Sequence, residues 1–357
     1  MRAGGAGGGR RQGRSVAEGG GRQWQAWPMR RPFAVLAVLA AVSGSLFGVS
    51  ATPAAAEGDG GFTIKDPRIA ESSGLAASRL HPGVYWTHND SSDGPYIYAV
   101  DGRTGETVAR VTLSGIGSPR DVEAISIGPD NQIYVGDIGD NLGGTWPYVW
   151  IYRLPEPKTL QDQTVRATQF VVKYEDGARN AESMVVDPKT GRVYIIDKDE
   201  DGGHLYQGPA TLSATGANIF RPIAPVDLWA TDAAISPNGE QLAVRGYFGG
   251  IWYDWNGGEI KRGGRLEVPL QRQGESVTYS VDGTKLLFGS EGAQSPVQVK
   301  DAPGGAGSAK SPSSDGGSQA SGDNGAGGVG DFKVAGLVAV AAVVAAFLGL
   351  RRLTRRK

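Results

Sequence analysis

Five times along the chain an acidic residue opens a short apolar run, a turn built from Pro, Asn, Asp or Gly follows, and a second apolar run ends in polar or acidic residues. The copy at 121–141 reads Asp-Val-Glu-Ala-Ile-Ser-Ile, a turn at Gly-Pro-Asp-Asn, Gln-Ile-Tyr-Val-Gly-Asp, then Ile-Gly-Asp-Asn. Aligned on Glu71, Glu123, Glu182, Asp232 and Glu275, successive copies stand 52, 59, 50 and 43 residues apart. Between 61 and 300 no long 3.6-residue period appears, and the runs of Val, Ile, Tyr, Trp and Phe between turn residues read as strands. A third strand is predicted after each hairpin, at 96–100, 148–154, 204–207, 250–255 and 297–300. A fourth follows in four copies, at 107–113, 167–174, 218–223 and 265–270. The last copy lacks one, and a spare strand at 62–65 precedes the first. Four strands per repeat of this length suit a propeller blade, and lending the spare strand to the last blade closes the ring and removes an open edge. The predicted fold is all-β: a five-bladed β-propeller at 61–300 closed by an N-terminal strand, plus a C-terminal transmembrane helix.

The flanks read as targeting and anchoring segments. Residues 1–28 are a Gly/Arg-rich lead without apolar period, an over-long start or disordered lead ahead of an initiating Met29. Residues 29–56 read as a signal peptide: Met29-Arg30-Arg31-Pro32, an apolar run at 33–49, and Ala54-Ala55-Ala56 as cleavage site. An uncleaved membrane helix is the alternative, and Arg30-Arg31 resembles a twin-arginine signal. Residues 301–331, rich in Gly, Ser, Ala and Asp, form a linker that buries too little apolar surface to order itself. Residues 334–350 carry no charge and span about 26 Å as a helix, near a membrane's ~30 Å hydrocarbon core. The basic tail at 351–357 then stays in the cytoplasm, which places the propeller outside a single-pass cell-membrane protein.

Charge narrows the partners. The whole chain carries −1, but between 57 and 332 there are 23 Lys and Arg against 36 Asp and Glu, a net −13. Such a body lacks the cations that neutralise phosphates, which argues against nucleic acid and favours a cation ligand. The chain has no Cys, so disulfides, thiolate metal sites and a Cys nucleophile are excluded. No G-x-S-x-G elbow, P-loop or H-E-x-x-H motif occurs.

In a propeller the loop entering strand one and the loop leaving strand two share a face. Glu71, Glu123, Glu182, Asp232 and Glu275 are therefore predicted to converge as metal ligands, with Asp90, Asp137, Asp140, Asn141 and Asp197 as outer ligands. Crowded carboxylates raise one another's pKa unless a cation neutralises them, and calcium, hard and tolerant of six to eight oxygens, is the predicted cofactor. The same acids can instead accept backbone N–H bonds or pair with nearby arginines. His88, Arg120, Arg179 and Arg245 are the candidate anion-binding groups, His88 serving alternatively as a hydrogen-bond partner of the acids. Asn89-Asp90-Ser91 also matches a glycosylation sequon.

The stretches Ile-Ala-Glu-Ser-Ser-Gly-Leu-Ala at 69–76, Trp-Thr-His-Asn-Asp-Ser at 86–91 and Gly-Asp-Ile-Gly-Asp-Asn at 136–141 resemble a family of exported bacterial β-propellers, loosely phytase-like and mostly of unknown function. With Glu-Ser pairs at 71, 182 and 275, the layout is also similar to five-bladed calcium-dependent nucleotidases, whose channel carboxylates and serines hold calcium. The chain departs from both, with Asp232-Ala233 in the fourth copy and no dense Lys/Arg phosphate grip. Two functions stay open: a surface binding or scaffold module whose calcium rigidifies the channel, with a small molecule or surface protein as partner, and a calcium-dependent hydrolase of a phosphoester or other small anionic substrate.

Overall fold

Residues 60–91 and 93–304 are described by the structure, a computed structural model. After β1 (Phe62–Thr63), an antiparallel meander runs through β2 (Ser72–Ala77), β3 (Val84–Asn89), β4 (Tyr96–Asp101) and β5 (Thr107–Ser114). Next come β6 (Ala124–Ile127), β7 (Gln132–Asp137) and β8 (Val149–Pro155), the short β9 (Gln163–Arg166), and β10 (Thr168–Tyr174), which returns to pair with β8. Two further meanders follow: β11 (Ala181–Val186), β12 (Val193–Asp197), β13 (Gly203–Gln207) and β14 (Ala217–Val226), then β15 (Ala230–Ile235), β16 (Gln241–Gly246), β17 (Gly249–Asn256) and β18 (Glu259–Leu266). The last comprises β19 (Gly274–Tyr279), β20 (Lys285–Ser290) and β21 (Pro296–Asp301), and its outer place is taken by β1, with Phe62 opposite Val297. Parallel pairing of β9 with β5, and of β10 with β14, stitches neighbouring meanders at their outer edges.

The first strands touch in cyclic order, β2 to β6, β11, β15 and β19, and β19 closes on β2. This is an all-β arrangement of the β-propeller kind. The inner strands of each sheet are buried on both faces, which explains strands apolar on consecutive residues rather than alternating ones. In β12, Val193 and Ile195 enter the core shared with the preceding sheet, while Tyr194 and Ile196 enter the core shared with the following one. Two indole tips reaching these interiors are paired. Trp86 Nε1 donates to Glu156 Oε1 (2.8 Å), and Trp255 Nε1 donates to Asp187 Oδ2 (2.8 Å). Asp187 also accepts from the main-chain N–H of Lys189 (2.8 Å) and Thr190 (2.9 Å), so one carboxylate both builds the β11–β12 turn and anchors a distant indole.

Two strand expectations are corrected. The strand predicted at 265–270 lies at Glu259–Leu266, because Gly257 (φ 60°) and Gly258 (φ 106°) turn the chain immediately after β17 and leave Leu270 91% exposed. Strand β9 was not predicted: its burial alternates only between half-buried and exposed, so it carries no apolar run. The lead, signal peptide, most of the linker, the membrane helix and the basic tail lie outside the described residues, among which no helix is long and apolar enough to cross a membrane.

Candidate functional site

A break in pairing near the start of the first strands decides which side chains reach the acidic end. Ala181 pairs with Asp197 and Ser183 with Ile196, which leaves Glu182 unmatched. The same break leaves Glu275 between Gly274 and Ser276, and Thr231 between Ala230 and Asp232. Stepping back from the Ala124–Gly136 pair puts Glu123 in this place, and Ser73 and Gly74 fill it between the Ser72–Asn89 and Leu75–Thr87 pairs. A bulge adds one residue and re-aims its neighbours. The structurally equivalent set is therefore Ser73, Glu123, Glu182, Thr231 and Glu275. Ser73 Oγ donates to Glu123 Oε2 (3.1 Å), joining two members.

The other two aligned acids stand elsewhere. Asp232 is one residue further on, buried, and accepts from the N–H of Ala233 and of Val277 (both 2.8 Å), which ties β15 to β19. Glu71 is half-buried two residues before Ser73. Its N–H donates to Asn89 Oδ1 (3.0 Å), and its carbonyl accepts from Asp90 N–H (2.9 Å).

Asp90, Asp121 and Glu123, all buried, offer carboxylate oxygens within 4.8 Å of one another. Two oxygen ligands of one metal ion lie within roughly 5 Å of each other, so these three oxygens can share a single ion. The chain assembles the group through its backbone. Val122 N–H donates to the Asp90 carbonyl (3.0 Å), and Asp137 accepts from the N–H of Arg120 (3.1 Å) and Asp121 (2.9 Å) and from Tyr152 Oη (2.6 Å). Asn141 Nδ2 donates to Asp121 Oδ2 (3.0 Å). Gly139 closes over the group: a Cβ there would lie 2.7 Å from Asp121 Oδ2 and 2.8 Å from Glu123 Cγ. Burial, then the charges of Asp90, Glu182 and Asp121, push the Glu123 carboxyl well above the usual range against the pull of Lys198.

Lys198, absent from the sequence expectation, stands beside this group. It follows the end of β12, and its ammonium donates to Glu182 Oε1 and to Tyr247 Oη (2.8 Å) and faces the rings of Tyr247 (4.9 Å) and Trp229 (5.7 Å). Burial disfavours its charge, but Glu182, Tyr247, Glu275 and Glu123 outweigh burial and raise its pKa. Glu182 is pushed up to about 8 by burial and by Glu275 and Asp90, with Lys198 opposing. Glu275 is raised by burial and accepts from Gln273 Nε2 (3.1 Å). Glu182 Oε2, Glu275 Oε2 and Ser183 Oγ are buried with no hydrogen-bond partner among the described residues. One ammonium thus serves several acids and leaves carboxylate capacity at this end.

The remaining predicted residues have work in the fold. Asp140 accepts from the N–H of Trp146 (2.5 Å) and of Thr145, closing the 140–146 loop, and Asp197 accepts from His204 N–H (2.5 Å) at the β12–β13 turn. Arg120 lies between the rings of Trp146 (3.9 Å) and Trp150 (3.8 Å) and donates to the Tyr148 carbonyl (2.8 Å). Arg179 pairs with Asp176 (2.8 Å), and buried Arg245 donates to the carbonyls of Ser276 and Gly289 (both 3.0 Å) and to Gln271 Oε1 (3.1 Å). Burial lowers the His88 pKa to about 4, so at neutral pH it brings no charge to an anion. Asn89 is buried and bonded to Ala70, Glu71, Arg68 and Asp93, which removes it as a glycan acceptor. Asp121 was legible only as the first acid of an Asp-Val-Glu triplet that no other copy shares. For Lys198 the sequence holds no signal.

No protein-family model matches the sequence, and no curated protein does. Solved structures of similar trace include the soluble aldose sugar dehydrogenase of Escherichia coli, at TM-score 0.43 and 11% identity, covering 67% of this chain and 98% of that one. Others are a gluconolactonase of Xanthomonas campestris (0.42, 15%, 68% and 80%) and the PQQ-bound aldose sugar dehydrogenase of Streptomyces coelicolor (0.37, 13%, 67% and 96%). These likenesses concern the chain trace alone.

Proposed function

We propose that this chain is a five-bladed β-propeller that binds one calcium ion at the acidic end of its channel through Asp90, Asp121 and Glu123, and acts as an exported binding or scaffold module anchored by its C-terminal apolar segment. The observation that carries the reading is the meeting of three buried carboxylates whose oxygens lie within 4.8 Å of one another, drawn from two neighbouring sheets. An ion there would cross-link those sheets while relieving the mutual repulsion of the acids. An all-oxygen donor set without Cys or a His nitrogen suits a hard cation. The ring of five first strands, each touching the next, supports the blade number, and the net −13 of residues 57–332 supports a cation ligand.

The hydrolase alternative, on a phosphoester or other small anion, has less support. Arg120, Arg179 and Arg245 are engaged within the fold and His88 is neutral, so the groups offered as an anion grip are spent on structure. A screen of phosphoester, nucleotide and lactone substrates with and without calcium decides it, no turnover being expected. For the ion itself, calorimetry of the full chain with calcium is expected to show one site, and Glu123→Gln to abolish it. No binding, or binding that survives the substitution, refutes the site.

A further inference from the structure

Glu182 stands at the place in its sheet that Glu123 holds in the neighbouring one, yet it is not among the three acids whose oxygens meet. The strands that carry the two residues touch, and the charges of Glu182 and Glu123 act on one another. What engages Glu182 instead is Lys198. Its side chain is nine-tenths buried, and its ammonium donates to Glu182 Oε1 and to Tyr247 Oη (2.8 Å) and faces the rings of Tyr247 and Trp229. The other oxygen, Glu182 Oε2, is buried with no hydrogen-bond partner among the described residues, and so is Glu275 Oε2, whose carboxylate feels the same ammonium.

Two effects of this ammonium bear on an ion at Asp90, Asp121 and Glu123. It occupies one oxygen of a further carboxylate, and it adds a like charge to a desolvated end, where charges interact several-fold more strongly than in water. We propose that Lys198 is a tethered counter-ion that sets the calcium affinity of this end, keeping Glu182 out of the ion's coordination and opposing the ion's charge. The inference rests on the calcium reading above. Affinity for calcium is tuned by the charge of the ligand set, so the direction is fixed: removing the ammonium tightens binding. A purely structural role for Lys198 predicts the reverse, since loosening the end scatters the ligands.

Calorimetric titration of the full chain with calcium at pH 8 tests this. Lys198→Met is expected to bind calcium at least about tenfold more tightly than the wild type, and Lys198→Arg, which keeps the charge, within about threefold of it. Adding Glu182→Gln to Lys198→Met is expected to remove most of the gain. Equal or weaker binding in Lys198→Met overturns the inference while leaving the calcium site standing, and tightening of the same size in Lys198→Arg also overturns it. A gain that survives Glu182→Gln in full overturns the part given to Glu182. No binding by the wild type and Lys198→Met alike removes the calcium reading itself, and this inference with it. If Lys198→Met fails to fold, Lys198→Gln, neutral and still able to hydrogen-bond Glu182, carries the same expectation, and wild-type affinity in it overturns the inference alone.

Discussion

Lys198→Met tests the claim that one buried ammonium holds the acidic end together. The substitution preserves much of the side-chain volume and removes the charge that meets Glu182 and Tyr247. Breaking a buried ion pair from one side typically costs about 3–5 kcal/mol, because the remaining charge stays desolvated. Glu182 can escape by taking up a proton, and that route caps the loss. With its folded pKa at about 8, Glu182 is half protonated in the parent at pH 8, so the loss through this group stays under about 1 kcal/mol there and grows by about 1.4 kcal/mol per pH unit above it, to roughly 3 kcal/mol at pH 10. At pH 5 the group is protonated in parent and variant alike. An acid whose folded pKa is raised binds its proton more tightly in the native state, so stability falls as pH climbs above the unfolded value, and removing Lys198 prolongs that fall beyond pH 8. Urea unfolding without metal at pH 5 and pH 10 is the assay. The variant should match the parent within about 1 kcal/mol at pH 5 and lose about 2–3 kcal/mol at pH 10. Adding Glu182→Gln should restore most of the difference. A loss independent of pH, or one the second substitution leaves untouched, would show that Lys198 acts through packing and not through Glu182.

Gly139→Ala forces a methyl group to within 2.7 Å of Asp121 Oδ2, so calcium affinity is expected to drop at least about tenfold by calorimetry while the circular dichroism spectrum persists. Wild-type affinity would mean that Asp121 is not a ligand. Arg245→Met strips donors from the carbonyls of Ser276 and Gly289 and is expected to cost about 2–4 kcal/mol in urea unfolding, a loss below about 1 kcal/mol contradicting the role given to it. Calcium binding should strengthen between pH 5.5 and pH 8, because Glu123 has a raised pKa and protons compete with the ion for it; calorimetry at the two values reads it directly, and a flat profile argues against Glu123 as a ligand.

Local chemistry carried much of the fold. The turn at Asp187-Pro188-Lys189-Thr190-Gly191, the doubly buried run Val193 to Ile196 and the spare strand before the first repeat are each specified by residues close in the chain. Strand β9, pinned to β5 across 52 residues, has no such signature.

An acid at the opening of each repeat is legible in the residues themselves, since turn chemistry and the apolar runs that follow are local matters. Which acids meet was decided only by tertiary structure. A one-residue bulge admits Glu182 and Glu275, turns Asp232 onto the backbone and brings Thr231 to the equivalent place, and such a shift leaves no mark in the spacing. The buried pair of Lys198 with Glu182 likewise exists only once neighbouring sheets face one another, because burial, which sets their charge states, is a property of the closed assembly.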